Sequence, residues 1–252
     1  TTKNSGQKTE AGANKQIEVY VGTVIKNENT ADLIKRRSYT FERTLGKDLT
    51  SNQDQAEYIN GAVLGEFSLA VSEGEMVNAD LTFTATNSEY RKGTLLAAGK
   101  LIPAQGESGV NTVYDVRSIR LSLIDENSTV STPLFAYVTE LTLDVNNNLS
   151  ENKAIGVFGA MDISAGNFEV SGKTTAYFTS IEATQAVREY KDAGLHAIFA
   201  KEQVGFIFDV PLIGLGGGKN NVEKDEAITI ELEASGAENK HGYTAMYVNF
   251  SY

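Results

Sequence analysis

The chain has no cysteine and no tryptophan, and only three prolines and two histidines among its 252 residues. Lack of cysteine excludes disulfide staples, thiolate metal sites and cysteine nucleophiles. It leaves the compartment open, because cytosolic and virion proteins alike do without it. Lack of tryptophan removes the stacking platform expected of a sugar-binding or sugar-cleaving β-sandwich. No apolar run approaches the roughly 18 residues that cross a bilayer. Thr1 to Gln16 carry no apolar signal-peptide core, and no initiator Met opens the chain, as expected of a processed or trimmed product. A basic excess is missing too. Asp and Glu number 33 against 22 Lys and Arg, a formal net charge of −11. Proteins that hold nucleic acid neutralise phosphates with a basic face, so a chain this acidic that meets DNA is built not to grip it. Acidity also serves plain solubility, and only the placement of the charges separates the two readings.

Chemistry has little to stand on. His196 and His241 accompany no G-x-S-x-G elbow and no H-E-x-x-H pair, and both read as ordinary loop or strand residues. Gly214-Leu215-Gly216-Gly217-Gly218-Lys219-Asn220 imitates a phosphate loop, but Asn stands where Ser or Thr must follow the lysine, and no helix opens there. A flexible connection between strands is expected instead. Asp144-Val145-Asn146-Asn147-Asn148 starts like a calcium loop, yet the sixth position is Leu149 and the twelfth Ile155, which leaves a polar turn. Among 33 acids no pair is singled out for glycoside hydrolysis. No catalytic, cofactor-binding or metal-ligating residue is expected, and no cofactor.

What the chain does have is alternation. With 41% hydrophobic residues it can fill one large all-β domain or two small ones. The first sixteen residues are polar and predict an arm that is disordered or ordered by neighbours. The segment 1–30 is assigned to this arm and a first strand (Ile17, Val19, Val21, Ile25), and 31–252 to one β-sandwich domain. A second alternating set carries Tyr39, Phe41 and Leu45. The clearest hairpin sets Val63, Phe67, Leu69 and Val71 opposite Glu66 and Ser68. It turns at Ser72-Glu73-Gly74-Glu75 and returns with Val77, Ala79, Leu81 and Phe83 opposite Asn78, Asp80, Thr82 and Thr84.

A second unit echoes the first. Phe135, Tyr137, Leu141, Leu143 and Val145 oppose Glu140, Thr142 and Asp144. Phe168, Val170, Ala176 and Phe178 oppose Glu169, Ser171, Lys173 and Thr175. Strands are further expected over 116–124, 204–210, 226–234 and 243–250. Residues 86–115 show no sustained period and read as a long functional loop. One amphipathic helix is expected over about 179–193, opened by a Thr179/Glu182 capping box and closed by Gly194. The fold class is mainly β: an antiparallel sandwich or partly rolled barrel with one flanking helix.

Arg36-Arg37-Ser38-Tyr39-Thr40-Phe41-Glu42-Arg43 resembles a strand common to bacteriophage tail tube (major tail) proteins. So do, in order, Tyr58 to Val63, Pro133 to Thr139, Asn146 to Leu149, Gly166 to Gly172, Thr175 to Phe178, and Phe206 to Pro211 with the glycine-rich stretch after it. Together they span about residues 33–236. The resemblance implies a structural subunit of the virion tail without an active site. It implies self-association into stacked hexameric rings with a continuous inner β-barrel, through which viral DNA passes without specific binding and without a membrane. A tape-measure protein, a tail terminator and distal tail or baseplate proteins are the implied partners. A tube of a contractile injection or secretion machine, or a carbohydrate-binding module of a virion fibre, are the alternative readings.

On this basis Glu66, Ser68, Asn78, Asp80, Thr82, Thr84, Glu140, Thr142, Asp144, Glu169, Ser171, Lys173 and Thr175 are expected to line the lumen. They carry five acids against one lysine, a net of −4 per subunit and −24 in a six-membered ring. Tyr90, Arg91, Lys92, Leu95, Leu96, Leu101 and Ile102 are expected to form an inter-subunit loop.

Overall fold

Short alternating segments punctuated by Gly, Asn and Asp become strands. In chain order these are β1 (Thr2–Glu10), β2 (Ala13–Lys26), β3 (Tyr39–Lys47), β4 (Asp54–Ser72), β5 (Asn78–Thr84) and β6 (Asn87–Lys92). There follow β7 (Val116–Leu123), β8 (Thr132–Pro133), β9 (Val138–Asn146), β10 (Ser150–Asn152), β11 (Asp162–Ser164) and β12 (Glu169–Tyr177). After helix α1 (Glu182–Arg188) come β13 (Asp192–Lys201), β14 (Val204–Asn221), β15 (Thr229–Gly236) and β16 (Met246–Ser251). The computed structural model describes residues 2–10, 13–28, 30, 32–93, 116–124, 132–135, 137–201 and 204–251. The protein is mainly β with one short helix among these residues.

Two sheet regions share β14. Its second half pairs with β15, and the ladder continues through β12, β9 and β4 to β5, antiparallel at every step. Its first half lies between β13 and β16. Beyond β13 come β7 and β8; beyond β16 come β2 and β1. The two regions face each other across one core. Leu69, Leu141, Leu143, Val170 and Leu232 of the first region cluster with Leu121, Leu195, Phe199 and Val210 of the second. Phe67 stacks on Phe208 with ring centroids 5.5 Å apart. Each such buried side chain contributes about 1.5–3 kcal/mol. Ala183 and Ala186 bring α1 onto the same cluster.

The 19-residue strand β4 serves two sheets. Its first half pairs with β3 and β6, its second with β5 and β9. The change falls at Gly61, whose φ of +64° suits glycine, and where a Cβ would sit 2.4 Å from Thr86 Oγ1. A register shift between Leu64 and Glu66 then sets Val63 opposite Thr84 and Leu64 opposite Phe83. Val63 therefore leaves the face that plain alternation assigns to it, because a bulge inserts one residue into the count.

Four further expectations are corrected. The helix runs only over Glu182–Arg188, with Ile181 at its N-cap and no side-chain cap, so Thr179 does not form the capping box. Gly194 does not close it; Tyr190 turns the chain at φ +51°, and Gly194 lies inside β13, a strand the alternation did not reveal. The glycine-rich stretch is no free connection but the second half of β14. Leu215 pairs with Ala234 and Gly216 with Glu233. Its bulge carries Gly217 and Gly218 at φ +74° and +76°, which glycine adopts without the cost of a Cβ. Residues 87–92 are not loop but strand β6. Apart from these four, residues 2–10 of the N-terminal arm form β1 on the edge of β2.

Candidate functional site: an acidic sheet face

The four strands expected to carry the polar face lie side by side in the order β5, β4, β9, β12. Register aligns their polar residues in rungs. Asp80, Ser68, Asp144 and Ser171 form one rung, continued by Ser235 of β15 and Gly214 of β14. Thr82, Glu66, Asn146 and Glu169 form the next. Asn78, Ala70, Thr142, Lys173 and Glu233 form a third. Ser72, Glu140, Thr175, Glu231 and Lys219 form a fourth. Thr84 sits at the end of β5 opposite Val63. Inward residues of the same strands, Leu69, Leu141, Leu143, Val170 and Leu232, are 0–4% exposed, so the alternation cleanly separates core from surface.

The face is wider than the sequence indicated. Glu231, Glu233 and Ser235 on β15 and Lys219 on β14 belong to it. The alternation of β15 pointed inward through Ile230 and Leu232, which by the same period put Glu231 and Glu233 outward; that signal was available. Lys219 was hidden by the glycines before it. With these residues the face holds seven acids, Glu66, Asp80, Glu140, Asp144, Glu169, Glu231 and Glu233, against Lys173 and Lys219. The net is −5.

Polar contacts hold these side chains in place. Ser68 Oγ donates to Asp144 Oδ1. Asn146 Nδ2 donates to Glu66 Oε1 at 3.0 Å, and Thr175 Oγ1 to Glu140 Oε2 at 3.4 Å. Lys173 Nζ lies 3.2 Å from Glu231 Oε2, and Asn221 Nδ2 donates to Glu231 Oε1 at 2.9 Å. The amide of Asn221 and the Lys173 ammonium hold the Glu231 carboxyl below its ordinary range by favouring the anion. Four of these bonds are accepted by carboxylates from neutral donors, so they order the acids without pairing them with a cation.

The face ends in two uncovered edges. Among the described residues, no strand pairs with the side of β5 away from β4, nor, beyond Gly214, with the side of β14 away from β15. The apolar side of β5 is also open: Leu81 is 52% exposed. Beside it Phe83 meets Phe41 and Tyr39 edge-on at 4.9 and 6.0 Å. Sequence reasoning assigned Ala79 and Leu81 to a packed interior; within the single chain nothing described covers them.

Of the residues expected in an inter-subunit loop, Tyr90 is exposed on β6. Arg91 lies over the Tyr58 ring at 5.4 Å and pairs with Glu89 at 2.6 Å, and Lys92 pairs with Asp48 at 2.8 Å. Leu95, Leu96, Leu101 and Ile102 lie outside the described residues. His196 Nδ1 lies 2.6 Å from the mostly buried Asp209 on the neighbouring strand, and His241 sits in the turn before β16. No cluster of three metal-ligating side chains occurs among the described residues, and none of their helices is long and apolar enough to cross a membrane.

The site is thus a broad acidic sheet face whose two end strands are open among the described residues. Residues 2–236 match the family described as phage tail tube protein, and the chain belongs to that family. Its place is therefore the virion tail, and its role structural. No curated protein matches the chain.

Proposed function

We propose that this subunit closes into hexameric rings that stack into a tube, with the acidic sheet face lining the bore through which viral DNA leaves. The observation that carries the reading is the pair of uncovered edges on one acidic sheet. From β5 to β14 the sheet holds six strands, antiparallel at each step. Its two end strands therefore run in opposite senses. β5 of one copy laid against β14 of the next continues the same antiparallel ladder and removes both edges, which are sticky when left open. The open apolar side of β5, with Leu81, gains a partner in the same step.

The charge suits the role. Duplex DNA carries one negative charge per about 1.7 Å of axis. A wall of carboxylates repels it over a Debye length of roughly 8 Å, so the genome slides where a basic wall would hold it. The N-terminal segment 1–30 and the chain after Lys92 supply further contacts between subunits. A tape-measure protein, a terminator and distal tail proteins complete the tail.

The experiment is a fourfold charge reversal in the phage, Glu66→Lys, Asp80→Lys, Glu140→Lys and Asp144→Lys. All four residues lie on the solvent side of the sheet, so tubes should still form while DNA delivery fails. Delivery at the wild-type level would contradict the bore assignment.

A further inference from the structure

The hairpin β10–β11 carries an apolar tip that no described residue covers. Ile155 is 106% exposed, Phe158 83% and Met161 63%. The tip is not loosely held. Ile163 at its base is fully buried, Ala160 N donates to Thr86 O at 2.8 Å, and Met161 N donates to Asn152 O at 2.8 Å. Arg36 braces the base through Asp162 at 3.0 Å. Displaying large apolar side chains on a built pedestal is a signature of a contact surface.

The same chain holds a cleft of about 560 Å³, its apolar wall formed by Val71, Ile119, Pro133, Phe135, Tyr137 and Val138 and its polar wall by Glu73, Arg120 and Glu140. Topology puts knob and cleft at opposite ends of the same strands. The cleft lies where Ser72 pairs with Glu140, and the knob follows the end of β9, where Glu66 pairs with Asn146. Six residues of β9 separate these pairs, about 20 Å of strand at ~3.3 Å per residue. A knob and a cleft at opposite ends cannot meet within one molecule, and between copies they make a head-to-tail contact that propagates without closing.

We infer that Phe158 and Ile155 of one subunit insert into the Phe135–Val138 cleft of a second copy, and that this contact joins successive rings along the tube. It rests on the ring-and-tube reading but adds a separate axial contact. The side edges β5 and β14 make the ring; the strand ends stack it.

Two variants test it in the purified chain. Phe158→Asp combined with Ile155→Asp alters only exposed side chains, so circular dichroism and the melting temperature should stay unchanged. The concentration needed for rods should rise roughly tenfold or more, with single rings accumulating. Phe158→Cys combined with Tyr137→Cys, in a chain with no other cysteine, should yield ladders of disulfide-linked subunits under oxidation, and each single variant at most dimers. Normal rods from the double aspartate variant would overturn the axial contact while leaving the ring reading intact. If those rods also fail to join the rest of the tail, the knob serves another tail protein and the inference is equally overturned. A wild type that forms neither rings nor rods would overturn both.

Discussion

Lys173 on β12 reaches diagonally to Glu231 on β15, Nζ to Oε2 3.2 Å, although its register partner is Glu233. The basic residue that alternation put on the acidic face is thus answered by an acid from a strand that alternation had not joined to that face.

The first prediction concerns this pair. The folded Glu231 carboxyl titrates below its ordinary range because Asn221 and Lys173 favour the anion. A group depressed in this way contributes its stability fully above the unfolded value, and loses it as pH falls through the lowered folded value. Carboxyl NMR titration should find the Glu231 midpoint below those of exposed glutamates, and Lys173→Met should move it upward. Asp48 should behave alike, held low first by Lys92 and then by Ser51 and Thr50. An ordinary midpoint for Glu231 in the wild type would contradict the contact.

Backbone geometry gives the second. Gly61 combines φ +64° with a Cβ position 2.4 Å from Thr86 Oγ1, at the point where β4 passes from one pair of neighbours to the other. Gly61→Ala should cost about 1–3 kcal/mol in urea unfolding. Gly74→Ala, at φ +78° but with open space around it, should cost less, since it carries the conformational term without the clash.

How far the sequence could be read follows from what side chains report. Where a strand has one wet face, as in Phe67–Val71 or Leu141–Val145, period-two alternation shows both the strand and its outward residues, and the observed register keeps them; before Glu140 a register shift turns Val138 to the core and leaves Tyr137, expected to point inward, 69% exposed. β13 escaped because Ala193, Leu195, Ala197 and Phe199 alternate with Gly194, Ile198 and Ala200, too small or too apolar to mark a wet side, and with His196 as the single polar residue among them. The second half of β14 escaped for the opposite reason: Gly214 and Gly216 to Gly218 have no side chain, so no period can show. The polar face was legible strand by strand. Its extension to Glu231, Glu233 and Lys219 depends on which strand pairs with which, a long-range fact that local pattern does not carry.

Core packing gives the third prediction. Phe199 is fully buried and stacks on Phe206 with centroids 4.7 Å apart. Phe199→Ala should destabilise by about 3–5 kcal/mol, and Leu141→Ala, likewise fully buried, by about 2–5 kcal/mol. Both are read by chemical denaturation of the subunit under non-assembling conditions.

The open edge gives the fourth. Leu81→Lys on β5 changes a side chain that the single chain leaves 52% exposed, so the melting temperature of the subunit should barely move. Ring formation, read by analytical ultracentrifugation, should be lost, because a charge enters the apolar side of the proposed seam. Rings at wild-type concentration would remove β5 from the interface.

The most direct measurement is a cryo-EM reconstruction of rods grown from the purified protein. The account predicts a hollow rod whose inner wall is the β5–β4–β9–β12 sheet, with Glu66, Asp144 and Glu169 projecting into the bore. Rods with that face on their outer surface, or a bore walled by lysine and arginine, would contradict it.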